Sequence, residues 1–135
     1  MRWLEKTPKS GDIIRTKVSF YYHYGIFISE AEVIQFGLPD DPGRPSEDIE
    51  VLASDIDAFL MGGELETGCP EKDEAKKMRP REEIIKIARS KLGEKGYDLL
   101  HNNCEHFVNL CAFGESKSNF LDDVRKRIRN RLGKT

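Results

Sequence analysis

The apolar residues of this chain change their period along its length, and that change narrows the available folds more than any other feature. Residues 20–28, FYYHYGIFI, are aromatic and β-branched, the composition of a strand. SEAE follows as a tight reversal, and VIQFG at 33–37 returns as the partner strand. From Arg81 the period becomes helical. Ile84, Ile85, Ile87, Ala88 and Leu92 form one apolar stripe, and Gly93 is a natural C-terminal stop. Strands gather in the first half and helices in the second, which predicts an α+β fold with a small antiparallel sheet packed against helices.

The other segments fit that frame. GDIIR at 11–15 reads as a short strand after a turn glycine, and LPDDPGRPSED at 38–48 as a loop. IEVL at 49–52 can form another strand. ASDIDAFLMGGELETG suggests a helical turn begun by Ser54 or Asp55 and broken at Gly62-Gly63. CPEKDEAKKM is polar and expected to be exposed. Asn102 or Asn103, both good cap types, opens a helix that carries Phe107, Val108, Leu110 and Cys111 and stops at Gly114. A last helix starts near Ser118 or Asn119, with Phe120, Leu121, Val124, Ile128 and Leu132 on its apolar side. At 135 residues the chain is expected to be a single domain over 1–135, its core at about 9–115 and a basic amphipathic helix at about 118–133.

Charge and cysteine usage exclude some functions. The formal net charge of -2 gives no basic field for nucleic acid. No run approaches the ~18 apolar residues of a membrane span, and MRWLEKTPKSGD lacks the apolar core of a secretory signal. A cytoplasmic protein is expected. Cys69, Cys104 and Cys111 make an odd, sparse set that suits free thiols in a reducing compartment. Arg125, Lys126, Arg127, Arg129, Arg131 and Lys134 follow Asp122 and Asp123, which suits the dipole of a helix packed on the domain. The same pattern suits a transient, peripheral contact with an anionic membrane surface.

The segment YDLLHNNCEHFVNLCAFG at 97–114 carries the chemistry. Cys104 falls at the first turn of the expected helix, where free amides and the helix dipole favour a thiolate and could hold an oxyanion. A thiol nucleophile needs a base and a group to orient that base. His106 lies on the same helix, two residues away, and points elsewhere. His101 precedes the cap, and His23 sits in the aromatic strand. Glu105 suits a capping box with Asn102, and His106 can tie the helix to the sheet. Cys111, one heptad after Cys104, suits core packing; Cys69 falls in a polar loop; Trp3 anchors the N-terminal segment. The spacing Cys104–His106 suits no common zinc ligand pair, so neither metal nor organic cofactor is expected. Register supplies a test of the orienting group. A three-residue loop Ser29-Glu30-Ala31 sets Ile28 opposite Glu32 and Gly25 opposite Gln35, placing His23 and Gln35 on one sheet face. A two-residue loop places them on opposite faces.

GDIIR, HYGIFI, VIQFG and NNCEHF, in this order and at these distances, resemble the lecithin:retinol acyltransferase-like family. The likeness is strongest over Gly11–Gly37 and Pro80–Gly114. The family resembles a circularly permuted papain-like fold and includes small phospholipid-processing thiol enzymes. By position, the resemblance implies Cys104 as nucleophile, His23 as general base and Gln35 as the residue orienting His23. Many members have a second histidine where Gln35 stands, while related cell-wall peptidases accept a polar residue there. The implied function is a cysteine-dependent acyltransferase or acyl hydrolase working through a thioester on a phospholipid-like ester. The alternatives are a peptidase or amidase of the related class, or a non-catalytic binding module on the same scaffold. Animal members often carry a C-terminal hydrophobic anchor. This chain ends at NRLGKT without one, so the implied lipid or other acyl substrate would be met by transient surface contact.

Overall fold

A computed structural model of the chain describes residues 1–19, 21–37, 45–98, 103–114 and residue 129. The fold is α+β. Among the described residues six strands form one antiparallel sheet: β1 (Arg2–Leu4), β2 (Ile13–Val18), β3 (Tyr21–Ser29), β4 (Glu32–Phe36), β5 (Val51–Ser54) and β6 (Glu66–Cys69). Their spatial order is β1-β6-β2-β3-β4-β5. Among the described residues four α-helices of more than one residue accompany the sheet, α1 (Ile56–Leu60), α2 (Lys72–Lys77), α3 (Arg81–Ser90) and α4 (Cys104–Phe113), with a 3-10 turn at Ser46–Asp48. The expected basic helix at 118–133 lies outside the described residues except for Arg129, which is helical. Among the described residues no helix is long and apolar enough to cross a membrane.

Alternation along the strands builds two cores, one on each side of the sheet. Ile13, Tyr24, Ile26, Ile34, Phe36 and Val51 pack against Ile84 and Ala88 of α3 and against Cys104, Phe107, Val108, Cys111 and Ala112 of α4. On the opposite face Ile14, Phe27 and Val33 pack around Phe59 of α1. Cys111 is fully buried, as its heptad spacing from Cys104 suggested. Arg81 holds α3 to the sheet, donating to Asp12 Oδ1 at 2.6 Å and to the Ser10 carbonyl at 3.1 Å.

Several expectations shift. The first strand begins two residues later than GDIIR suggests, because Gly11 adopts φ +93° and its N–H donates to the Phe27 carbonyl at 2.7 Å. The strand expected at 49–52 runs over Val51–Ser54 instead. Leu92 lies beyond the last turn of α3 and is 44% exposed, so it leaves the stripe. Cys69, expected in a loop, closes β6 opposite Arg2, and the segment of Trp3 is itself a strand. Residues 72–77, expected to be merely polar, form a helix with no buried residue. Its side chains gave no apolar period from which to recognise it.

The hairpin register was the sharpest expectation, and its basis changes. Ser29 pairs with Glu32, leaving Glu30-Ala31 as a two-residue turn. That turn alone would face Gln35 away from His23. The register shifts by one residue between Ser29 and Phe27, with Ile28 as the extra residue of a β-bulge. Beyond the bulge Phe27 pairs with Val33, Ile26 with Ile34 and Gly25 with Gln35. The expected Gly25–Gln35 pairing therefore holds, although Ile28 does not face Glu32. The Ser10 hydroxyl donates to the bulged Ile28 carbonyl at 2.6 Å, supplying a partner for a group displaced from the ladder.

Candidate active site

His23 lies on β3 opposite Thr16 of β2, both buried on the α1 side of the sheet. Its ring meets the Phe59 ring with centroids 5.1 Å apart and a tilt of 34°. Close packing of α1 depends on Gly25. A Cβ there would stand 2.8 Å from Phe59 Cε2 and 3.1 Å from Val33 Cγ1. Gln35 projects from β4 onto the same face and is fully buried. Its Oε1 lies 2.6 Å from His23 Nε2, and its Nε2 donates to Ser54 Oγ at 2.6 Å. The expected His23–Gln35 pair is thus assembled by the bulge and supported by a third residue.

Burial dominates the charge state of His23. Desolvation lowers its pKa from 6.5 to about 4, against the smaller raising effect of the Gln35 hydrogen bond. The imidazole is therefore neutral near neutrality.

Cys104 opens α4. Asn103 is the N-cap, its Oδ1 accepting from the N–H groups of Glu105 and His106, each at 3.0 Å. The reciprocal bond comes from the third helical residue: His106 Nδ1 accepts from the Asn103 N–H at 3.0 Å. Glu105 is not the capping-box partner, and Asn102 lies outside the described residues. His106 serves the cap with Nδ1 and is not a free base. His101 also lies outside the described residues.

Cys104 packs on the α4 side of β3, near enough to the Tyr24 backbone amide for that amide to favour the thiolate. Tyr24 follows His23 in the strand, but their side chains leave opposite faces: Cys104 meets the strand from the α4 side and His23 faces α1, with no hydrogen bond between thiol and imidazole. Burial raises the pKa of Tyr21 in the same strand, and the Cys104 charge adds to the rise. The expectation of a depressed thiol pKa does not hold. Cys104 is only 7% exposed, and burial pushes its pKa from 9.0 to about 11. The amides of Tyr24, Cys104 and Glu105 lower it by less, and Glu105 charge adds to the rise. Desolvation of the thiolate outweighs the start of the helix. Thiol and imidazole are therefore both neutral near pH 7.

A mixed polar and apolar cavity of about 280 Å3 opens beside this strand. Trp3, Ile13, Tyr24, Glu105, Val108 and Phe113 help line it. Sequence reasoning passed over Ser54 and Phe59 as site residues. Ser54 entered only as a possible helix cap, a position that Asp55 takes by accepting from the Ala58 N–H. Counting register from β4 to β5 requires crossing the proline-rich segment 38–48, so no sequence signal paired Gln35 with Ser54.

A family model described as "Lecithin retinol acyltransferase" matches residues 6–117. Bovine lecithin retinol acyltransferase is 28% identical over 144 residues, covering 89% of this chain and 63% of that protein. Human phospholipase A and acyltransferase 4 is 29% identical over 130 residues, covering 90% of this chain and 79% of that protein. Human phospholipase A and acyltransferase 3 is 27% identical over 126 residues, covering 87% and 78%. The chain thus spans less than two thirds of the length of the lecithin retinol acyltransferase it matches. With the family match running from the first loop past the end of α4, the chain belongs to the lecithin retinol acyltransferase family.

Proposed function

We propose that this chain is a cysteine-dependent acyltransferase or acyl hydrolase acting on a lipid ester. In this reading Cys104 is the nucleophile, His23 the general base and Gln35 the residue that orients His23. One observation carries it: a buried imidazole is held 2.6 Å from an amide oxygen on the strand whose next residue meets the thiol. The family match supports it, and relatives named for lecithin retinol acyltransferase and phospholipase A activity favour a lipid donor.

The neutral pair defines the order of events. In this reading the imidazole nitrogen not bonded to Gln35 is required to reach the Cys104 thiol and take its proton as sulfur attacks the ester carbonyl. The carbon–sulfur bond forms, and the carbonyl electron pair moves to oxygen. The Cys104 amide lies at the helix start, where it can stabilise that oxyanion, whereas the Glu105 and His106 amides are engaged by Asn103. Collapse breaks the ester carbon–oxygen bond, the leaving alcohol takes the proton from His23, and a thioester remains. A water, amine or alcohol then attacks the thioester, giving its proton to His23, which returns it to sulfur.

Intact-mass spectrometry after incubation with mixed phospholipids tests the reading. The expected result is a mass gain equal to one fatty acid less water, absent in Cys104→Ala and His23→Ala. Cleavage of peptides without a lipid adduct would replace it with the peptidase reading. Burial of the thiol is the observation that favours a non-catalytic module, and inertness toward both substrate classes would select that reading.

A further inference from the structure

We propose that Ser54 is a positioning residue: by locking the Gln35 amide it keeps the His23 proton on Nε2 and leaves Nδ1 as the proton-accepting nitrogen. The assignment follows a chain of three hydrogen bonds with one possible direction. The Asp55 carbonyl can only accept, and it lies 2.9 Å from Ser54 Oγ, so the Ser54 hydroxyl proton is directed there. Ser54 Oγ then has lone pairs, and no second proton, for Gln35 at 2.6 Å. The Gln35 atom facing it must be the NH2 donor, and the atom facing His23 must be the carbonyl Oε1. At 2.6 Å from that acceptor, His23 Nε2 must carry hydrogen.

The opposite amide orientation would set the Gln35 NH2 against His23 and require Ser54 to donate to Gln35. The Asp55 carbonyl would then face the Ser54 oxygen with no proton between them. Placement of Asp55 is itself fixed, because its side chain caps α1 by accepting from the Ala58 N–H at 2.8 Å. The helix so anchored carries Phe59, which packs on the His23 ring. The β5–α1 junction therefore fixes both the proton position and the plane of one imidazole. The tautomer follows from hydrogen-bond direction alone; the use of Nδ1 as base rests on the catalytic reading above.

The test combines histidine tautomers and turnover. In 15N-histidine-labelled protein at neutral pH, multiple-bond proton–nitrogen spectra distinguish protonated from unprotonated ring nitrogens. Comparison with His23→Gln identifies the His23 signals. Wild type should show a protonated Nε2 and a bare Nδ1. Ser54→Ala should give a mixed or exchanging pattern and a fall in kcat on the order of tenfold, with KM little changed. Ser54→Thr, which keeps the hydroxyl, should restore both. A wild-type His23 protonated on Nδ1 would overturn the proposal without any variant having to fold. A Ser54→Ala protein with the wild-type tautomer would overturn the role of Ser54. A shifted tautomer with unchanged kcat would overturn Nδ1 as the base. Should wild type transfer no acyl group while the tautomer shift occurs, the catalytic reading fails and the control of His23 by Ser54 stands.

Discussion

Protonating His23 should remove a measurable part of the stability of the fold. Its pKa is 6.5 in an ordinary environment and about 4 in the folded protein, where burial opposes charge. The unfolded chain therefore binds this proton more readily. The contribution of His23 is fully present above pH 6.5 and is lost as pH falls toward 4. A difference of about 2.5 units, at 1.36 kcal/mol each, amounts to about 3 kcal/mol once the folded value is reached. Other groups titrate in the same window, so a variant must isolate the effect. His23→Phe keeps an aromatic ring beside Phe59 and removes the proton site, at the cost of the bond to Gln35. Urea unfolding of both proteins at intervals between pH 7.5 and pH 4 gives two stability curves. The wild-type curve should fall by about 3 kcal/mol more than the variant curve, whatever their offset at neutral pH. Parallel curves would refute the argument, since a solvated or ion-paired imidazole would not carry the desolvation cost.

The thiol offers an independent check of the same electrostatics. Iodoacetamide should modify Cys104 slowly at neutral pH, and its rate should rise about tenfold per pH unit between roughly pH 6 and 9. A rate plateau through neutrality would signal a thiolate–imidazolium pair instead. At the packing level, Gly25→Ala would place a methyl 2.8 Å from Phe59 Cε2. The expected cost is about 1–3 kcal/mol in urea unfolding, with a changed chemical shift for the His23 ring protons. An unperturbed stability would mean that α1 does not depend on the close approach at Gly25.

Local chemistry makes part of this molecule legible in its residue order. The helix at 81–90, the cap at Asn103 and the stop at Gly114 follow from periodicity and from backbone groups that neighbouring residues must satisfy. The aromatic strand and its return marked β3 and β4. The motif order then singled out His23, Gln35 and Cys104. Long-range pairing was harder to read. β1 and β6 are too short for alternation to stand out, and each is defined only by the strand beside it.

Residue order by itself determined which side chains are available for chemistry and roughly which elements carry them. Tertiary structure decided how those side chains meet. The bulge at Ile28 turned a two-residue loop, which alone would separate His23 from Gln35, into a register that joins them. Burial reversed the expected direction of the Cys104 pKa, because the desolvation cost of a thiolate depends on everything packed around it and not on its place in a helix. Ser54 gained its position beside Gln35 only when β5 paired with β4, and the number of residues between the two strands conceals that register.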